Sequence, residues 1–119
     1  MTAGGNVKIV DRHNFPITNI AAAIVTVKPG RLRELHWHPN ADEWQYYVKG
    51  TARLTVFTAG THASTMDFHP GDVGYIDQSQ PHYIENMGDH DLIFLEVFPT
   101  AEHQEFLWVS GLPTPHRAL

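Results

Sequence analysis

A chain of 119 residues with a formal net charge of -5 suits one domain, and its eight scattered Lys and Arg are too few to neutralise a nucleic-acid backbone. It contains no cysteine, which excludes disulfides and thiolate chemistry, and its longest uncharged apolar run, Ile20 to Val27, is far too short to span a bilayer. The first residues show no basic segment followed by an apolar core, so the expectation is a cytoplasmic protein with neither a nucleic-acid nor a membrane partner.

Residues 1 to 5 read as a loose tail, followed by a short strand over Asn6 to Val10 and a connection to Pro16. Thr18 to Val27 is rich in small and β-branched residues without helix caps and predicts a strand, which Pro29-Gly30 ends. Arg31 to His38 predicts the next strand. Pro39-Asn40 predicts a turn, and Glu43 to Val48, with Trp44, Tyr46 and Tyr47, predicts a strand on a pleated surface. Lys49-Gly50 leads into Thr51 to Thr58, where Ala52, Leu54 and Val56 alternate with Arg53, Thr55 and Phe57.

Ala59-Gly60-Thr61 reads as another turn, followed by strands over His62 to Phe68, Val73 to Ile76 and His82 to Asn86. Asp91 to Phe98 is the most apolar strand. Thr100, as an N-cap with Glu102 in the first turn, predicts a short helix running to about Val109, and the remainder, with Pro113 and Pro115, reads as a tail. Short strands punctuated by Gly and Pro every 8 to 12 residues or so indicate an all-β sandwich or barrel, best a jelly roll. The expected layout is a single domain over 1-119, with a barrel core over about 6-98 and a helix and tail over 99-119.

The chemistry centres on His36-Trp37-His38-Pro39-Asn40-Ala41-Asp42-Glu43. Side chains two apart on a strand share a face, roughly 6 to 7 Å apart, so His36 and His38 can reach one ion. Glu43, just past the turn, can fold back as a third ligand, and His82, opening its own strand after a Gly- and Pro-bounded loop, is the best placed of the other histidines. His36, His38, Glu43 and His82 form a ligand set for a divalent first-row metal with open positions. Single histidines are usually surface residues, and His62, His69, His90 and His103 are read as solvent-facing. Trp37 and Trp44 are read as packing residues.

Gly30, His36, His38, Glu43 and Gly50 match the first cupin motif, and Gly71, His82 and Asn86 match the second, with Asp77 and Ser79 where proline and glycine are usual. The run from Arg33 to Tyr47, together with Gly71 to Tyr75 and Phe94-Leu95-Glu96, resembles the second cupin domain of the bicupin oxalate decarboxylases, and the similarity extends from about Val7 to Phe98. The resemblance implies a double-stranded β-helix and a manganese centre on His36, His38, Glu43 and His82, with iron, nickel, zinc or cobalt as alternatives. It implies oxalate, or a close dicarboxylate, as substrate and dioxygen as cocatalyst, with Arg33 contacting the substrate carboxylate and Glu96 a candidate proton donor. The products would be formate and carbon dioxide. An oxidase, another metal-dependent oxygenase, or a metal and small-acid binding domain without turnover are the alternatives.

These roles have physical readings of their own. A metal and a guanidinium fork together neutralise a small dianion and fix its plane. A carboxylic acid among Phe94, Leu95, Val97 and Phe98 would have its pKa raised by desolvation and could give a proton. Strict alternation places Arg33 on the face opposite His36, so it reaches the site only through a bulge. The lid glutamate of the bicupin enzymes, within a Ser-Glu-Asn sequence, has no counterpart here, and Glu102 and Glu105 are expected to be solvated on the helix. The apolar outer face of Asp91 to Phe98 leads to the expectation of a homodimer.

Overall fold

In the computed structural model, which describes residues 4–16, 19–59, 62–109 and 111–116, eleven strands form two antiparallel sheets. The strands are β1 (Gly5–Val10), β2 (Ala21–Val27), β3 (Leu32–Trp37), β4 (Glu43–Lys49), β5 (Ala52–Phe57), β6 (Ala63–Phe68), β7 (Val73–Ile76), β8 (His82–Asn86), β9 (Leu92–Phe98), β10 (Glu105–Val109) and β11 (Leu112–His116). One sheet has the order β1-β2-β9-β4-β7 and the other β11-β10-β3-β8-β5-β6. This is the jelly-roll architecture that the turn spacing predicts. Thr18, Gly60, Thr61 and the last three residues, on which parts of the expected elements fall, lie outside the described residues.

Alternation along the strands sorts the side chains. Strands β2 and β9 show strict inward and outward alternation, and Val25, Val27, Tyr47, Ala52, Leu54, Ile84, Leu92 and Phe94 meet between the sheets as a buried cluster. Tyr47 stacks on Phe68 with ring centroids 4.6 Å apart. The chain crosses from β4 in one sheet to β5 in the other at Gly50, which has φ +88°, and a Cβ there would lie 2.9 Å from the Asp91 carbonyl oxygen. Only glycine meets both conditions without strain.

The expected C-terminal helix is absent. Residues 105–109 are β10, paired with β3 through Phe106↔Trp37 and Leu107↔His36, and the presumed tail is β11, paired with β10. Phe106-Leu107-Trp108-Val109 is a run of aromatic and branched residues whose alternate positions gain partners on a sheet that one helix turn could not supply. Pro113 and Pro115 fit β11 because it is an edge strand, where a missing N–H goes unnoticed.

Candidate metal centre

Period two and one turn gather the predicted cluster. His36 and His82 are register partners across β3 and β8, and Glu43 opens β4 after the Pro39-Asn40 turn. The structure brings one donor atom each from His36, His38, Glu43 and His82 within 4.8 Å of one another, and all four residues are buried. Each imidazole has its Nδ1 against a backbone carbonyl: His36 on Glu34 at 2.6 Å, His38 on Gln104 at 2.9 Å and His82 on Gln80 at 2.8 Å. With Nδ1–H donated to a carbonyl, the neutral ring presents its Nε2 lone pair, the tautomer a metal requires.

The three Nε2 atoms and Glu43 Oε1 are buried without a hydrogen-bond partner. Glu43 Oε1 lies 3.0 Å from His38 Nε2 and 3.3 Å from His82 Nε2. In the neutral tautomers these contacts set acceptor against acceptor, so the cluster needs either protons or a cation to settle it. Burial, with Arg33 and the neighbouring imidazoles, drives the His36 pKa well below its usual value. Burial also pulls on His38, but the adjacent Glu43 carboxylate outweighs it and the net shift is upward. Burial would raise Glu43, yet His82 and His38 hold its carboxyl well below the usual range. The other Glu43 oxygen is fixed from behind: Gln45 Nε2 donates to it at 2.6 Å, and Tyr47 donates to Gln45 at 2.5 Å.

Arg33 reaches this interior because β3 carries a bulge. Arg33 pairs with Ile84 and His36 with His82, so β3 spends three steps where β8 spends two, and both residues face inward. Its Nε lies 3.7 Å from Glu96 Oε1, and its Nη2 hydrogen-bonds to Glu105. Glu96, on β9, is fully buried and neither of its oxygens has a hydrogen-bond partner. Burial first, and the Glu43 charge second, push its pKa up to about 8.

Two expectations are corrected here. His103 and Glu105 are not solvated on a helix; each is only 3 % exposed and both lie at this site. His103 packs edge-on against His38 with centroids 5.2 Å apart, and with His38 and Glu96 it forms a second close group of donors. Glu105 is two residues from Leu107, the register partner of His36, so alternation turns it to the same inner face. Glu102 stays near the surface, 2.8 Å from His13 and 3.3 Å from Arg12. Asn40 Nδ2 donates to the Glu102 carbonyl at 2.9 Å, which ties the 99–104 segment to the metal-site turn.

Trp37 and Trp44 face outward. Trp37 stacks on Phe106 at 5.6 Å, and Trp44 packs on Tyr75 at 4.8 Å. Leu35, Trp37, Phe57, Ser79, Pro81 and Trp108 line an apolar cleft of about 310 Å³, which contains none of the site residues. His62, His69 and His90 are exposed as expected.

A jelly roll with two motif-borne histidines, a carboxylate and a third histidine turned into its interior defines a cupin, and the Cupin family profile matches residues 1–117. The chain belongs to the cupin family. Among characterised proteins it is 49 % identical over 114 residues to oxalate decarboxylase OxdC of Bacillus subtilis, covering 92 % of this chain and 30 % of that protein. It is 53 % identical over 97 residues to an oxalate decarboxylase of Arthroderma benhamiae, covering 80 % of this chain and 23 % of that protein. The structure of the Bacillus subtilis enzyme at pH 4.6 superposes with a TM-score of 0.88 at 49 % identity, covering 90 % of this chain and 28 % of that one. The formate complex of Lactobacillus farciminis oxalate decarboxylase also gives 0.88, at 45 % identity, covering 90 % and 32 %. The chain thus spans about 30 % of the length of these relatives. One Bacillus subtilis structure was reported in work on its Mn(II) centres.

Proposed function

We propose that the chain is a manganese-dependent, oxalate decarboxylase-like enzyme that converts oxalate and a proton to formate and carbon dioxide. The observation that carries this reading is the group of four buried, unpartnered donor atoms on His36, His38, Glu43 and His82, with Arg33 and Glu96 beside it. An imidazole-rich set with one carboxylate fits manganese and also iron, nickel, zinc or cobalt, so metal identity rests on the similarity to the Bacillus subtilis enzyme with its Mn(II) centres. Bound there, the metal would supply Lewis acidity and one-electron chemistry, with dioxygen as a cocatalyst.

The protein's own groups do the rest. The Arg33 fork binds and orients a carboxylate. Glu96, whose carboxyl burial pushes toward the protonated form, is placed to hold a proton for the carbon left when carbon dioxide departs. Phe98, 4.6 Å from the His38 ring, and Ala41 wall the site with hydrocarbon and keep bulk water from that proton.

Elemental analysis of the purified protein, followed by oxalate turnover under air and under nitrogen, tests the reading. Manganese with formate as the product supports it; hydrogen peroxide as the product would make the protein an oxidase. A second reading, a domain that binds a metal and a small acid without turnover, is favoured by the contact that engages Arg33 with Glu105. Under that reading oxalate raises the melting temperature of the metal-loaded protein and no product forms.

The site is enclosed within one chain, but the outer face of the sheet holding β4 and β7 leaves Ile24, Trp44, Tyr46, Val48, Val73 and Tyr75 exposed. A homodimer through such a face accords with the aromatic enrichment of interfaces, and elution with light scattering checks it. No helix among the described residues is long and apolar enough to cross a membrane. A cytoplasmic location is part of the same proposal.

A further inference from the structure

We propose that Glu105 is a built-in competitor for the anion seat of this site: its carboxylate holds Arg33 where a substrate carboxylate would, and it must be displaced when a small dicarboxylate binds. This inference rests on the metal-site reading above and adds a determinant of affinity that the four donors do not contain.

The placement of one oxygen carries the argument. Glu105 Oε1 accepts a hydrogen bond from Arg33 Nη2, and the same atom lies 3.9 Å from His36 Nε2 and 4.0 Å from His38 Nε2. It therefore sits between the guanidinium and two of the convergent imidazole nitrogens, the position a carboxylate takes when it bridges a fork and a cation. Arg33 is the nearby cation for two buried carboxyl groups, Glu96 at 3.7 Å and Glu105. A dicarboxylate entering this interior brings two further negative charges to a fork already engaged. Like charges packed in a medium of low dielectric repel strongly, so the incoming acid and Glu105 exclude each other.

The strand that carries Glu105 is suited to yield. Among the described residues, β10 meets β3 at two register positions, Phe106↔Trp37 and Leu107↔His36, whereas β2 meets β9 at seven. Beyond β10 lies only the edge strand β11. A short, lightly paired edge hairpin opens at lower cost than a central strand. Glu105 lies at its first residue, where a rotation of its side chain frees Arg33 without disturbing the His36 pairing or the Gln104 carbonyl that holds His38.

The test uses the full chain loaded with manganese and oxalate as the titrant in calorimetry under nitrogen, where the dioxygen cocatalyst is absent and binding is read without turnover. Glu105→Gln keeps the shape and removes the charge, and it should bind oxalate at least tenfold more tightly than the unmodified protein. Glu105→Asp keeps the charge but shortens the reach to Arg33; it should bind more tightly by a smaller factor, and it decides the matter if the Gln variant does not fold. Metal uptake is measured in parallel. Unchanged or weaker oxalate binding in both metal-loaded variants overturns this proposal alone. Failure of the unmodified protein to take up metal overturns the metal reading, and this proposal with it.

Discussion

The interior between the two sheets has two halves, built from the same strands and held together in opposite ways. Along β4 the inward residues run Glu43, Gln45, Tyr47, and along β8 they run His82, Ile84, Asn86; each strand is polar near the metal site and changes character along its length. In the hydrocarbon half even the buried polar residue is satisfied. Asn86 donates to the Val27 carbonyl at 2.9 Å and the His90 carbonyl at 2.7 Å, and accepts from Gly88 N–H at 2.9 Å. In the site half, by contrast, His36, His38, His82, Glu43 and Glu96 keep buried polar atoms unpartnered. Such atoms cost free energy that the well-packed half must offset, which is how a fold carries a reactive site. The hydrocarbon half therefore governs stability, and the site half governs what binds.

Substitutions in each half separate these two roles. Phe94 is fully buried in the apolar cluster, and Phe94→Ala should cost about 3 to 5 kcal/mol in chemical denaturation of the metal-free protein. The largest loss of metal binding should come instead from His82→Ala. Manganese at a hundred times its dissociation constant should add about 2.7 kcal/mol to the unmodified protein and almost nothing to this variant. A calorimetric melt with and without metal reads both. A His82→Ala protein that retains the full metal-dependent gain would break the division.

Glu96 sharpens the comparison through pH. Its pKa is about 8 in the folded chain against an ordinary 4.5, so between those values the folded form keeps a proton that the unfolded form releases. Stability then falls as pH rises through that window, because the folded state binds more protons. His36, held neutral by burial, acts in the opposite sense below its ordinary 6.5, and a comparison with Glu96→Gln cancels that contribution. Denaturation of metal-free protein from pH 5 to about pH 8.5 should show the unmodified chain losing ground steadily to Glu96→Gln. Parallel curves would remove Glu96 as a protonated acid.

Much of this arrangement could be read from residue order. Period two and the Pro39-Asn40 turn are enough to gather His36, His38 and Glu43, and the Gly-bounded loop sends His82 to join them. Arg33 was half legible: alternation turned it outward, and only the three-for-two bulge against β8 brings it in. A bulge is set by cross-strand pairing, which the order of residues on one strand does not contain. Glu105 and His103 were missed because Thr100 and Glu102 imitate a helix start while the aromatic run after them is a strand. The signal lay in Phe106-Leu107-Trp108-Val109, and in prolines spaced as an edge strand tolerates them.

Ser79 supplies the smallest and most local test. It stands where the motif has glycine, and it takes the glycine conformation all the same, with φ 65°. Its N–H donates to the His38 carbonyl at 2.9 Å, and the next residue's carbonyl receives His82 Nδ1, so this strained turn orients two of the four donors. Left-handed backbone costs a side-chain-bearing residue about 1 to 2 kcal/mol, and glycine gives back roughly 0.5 to 1 kcal/mol through its freer unfolded chain. Ser79→Gly should therefore gain a net amount of about 0.5 kcal/mol, seen as a slightly higher denaturation midpoint with an unchanged slope, and its metal affinity should not move. A loss of stability would mean that the serine side chain, and not the backbone alone, holds the loop that closes the polar half.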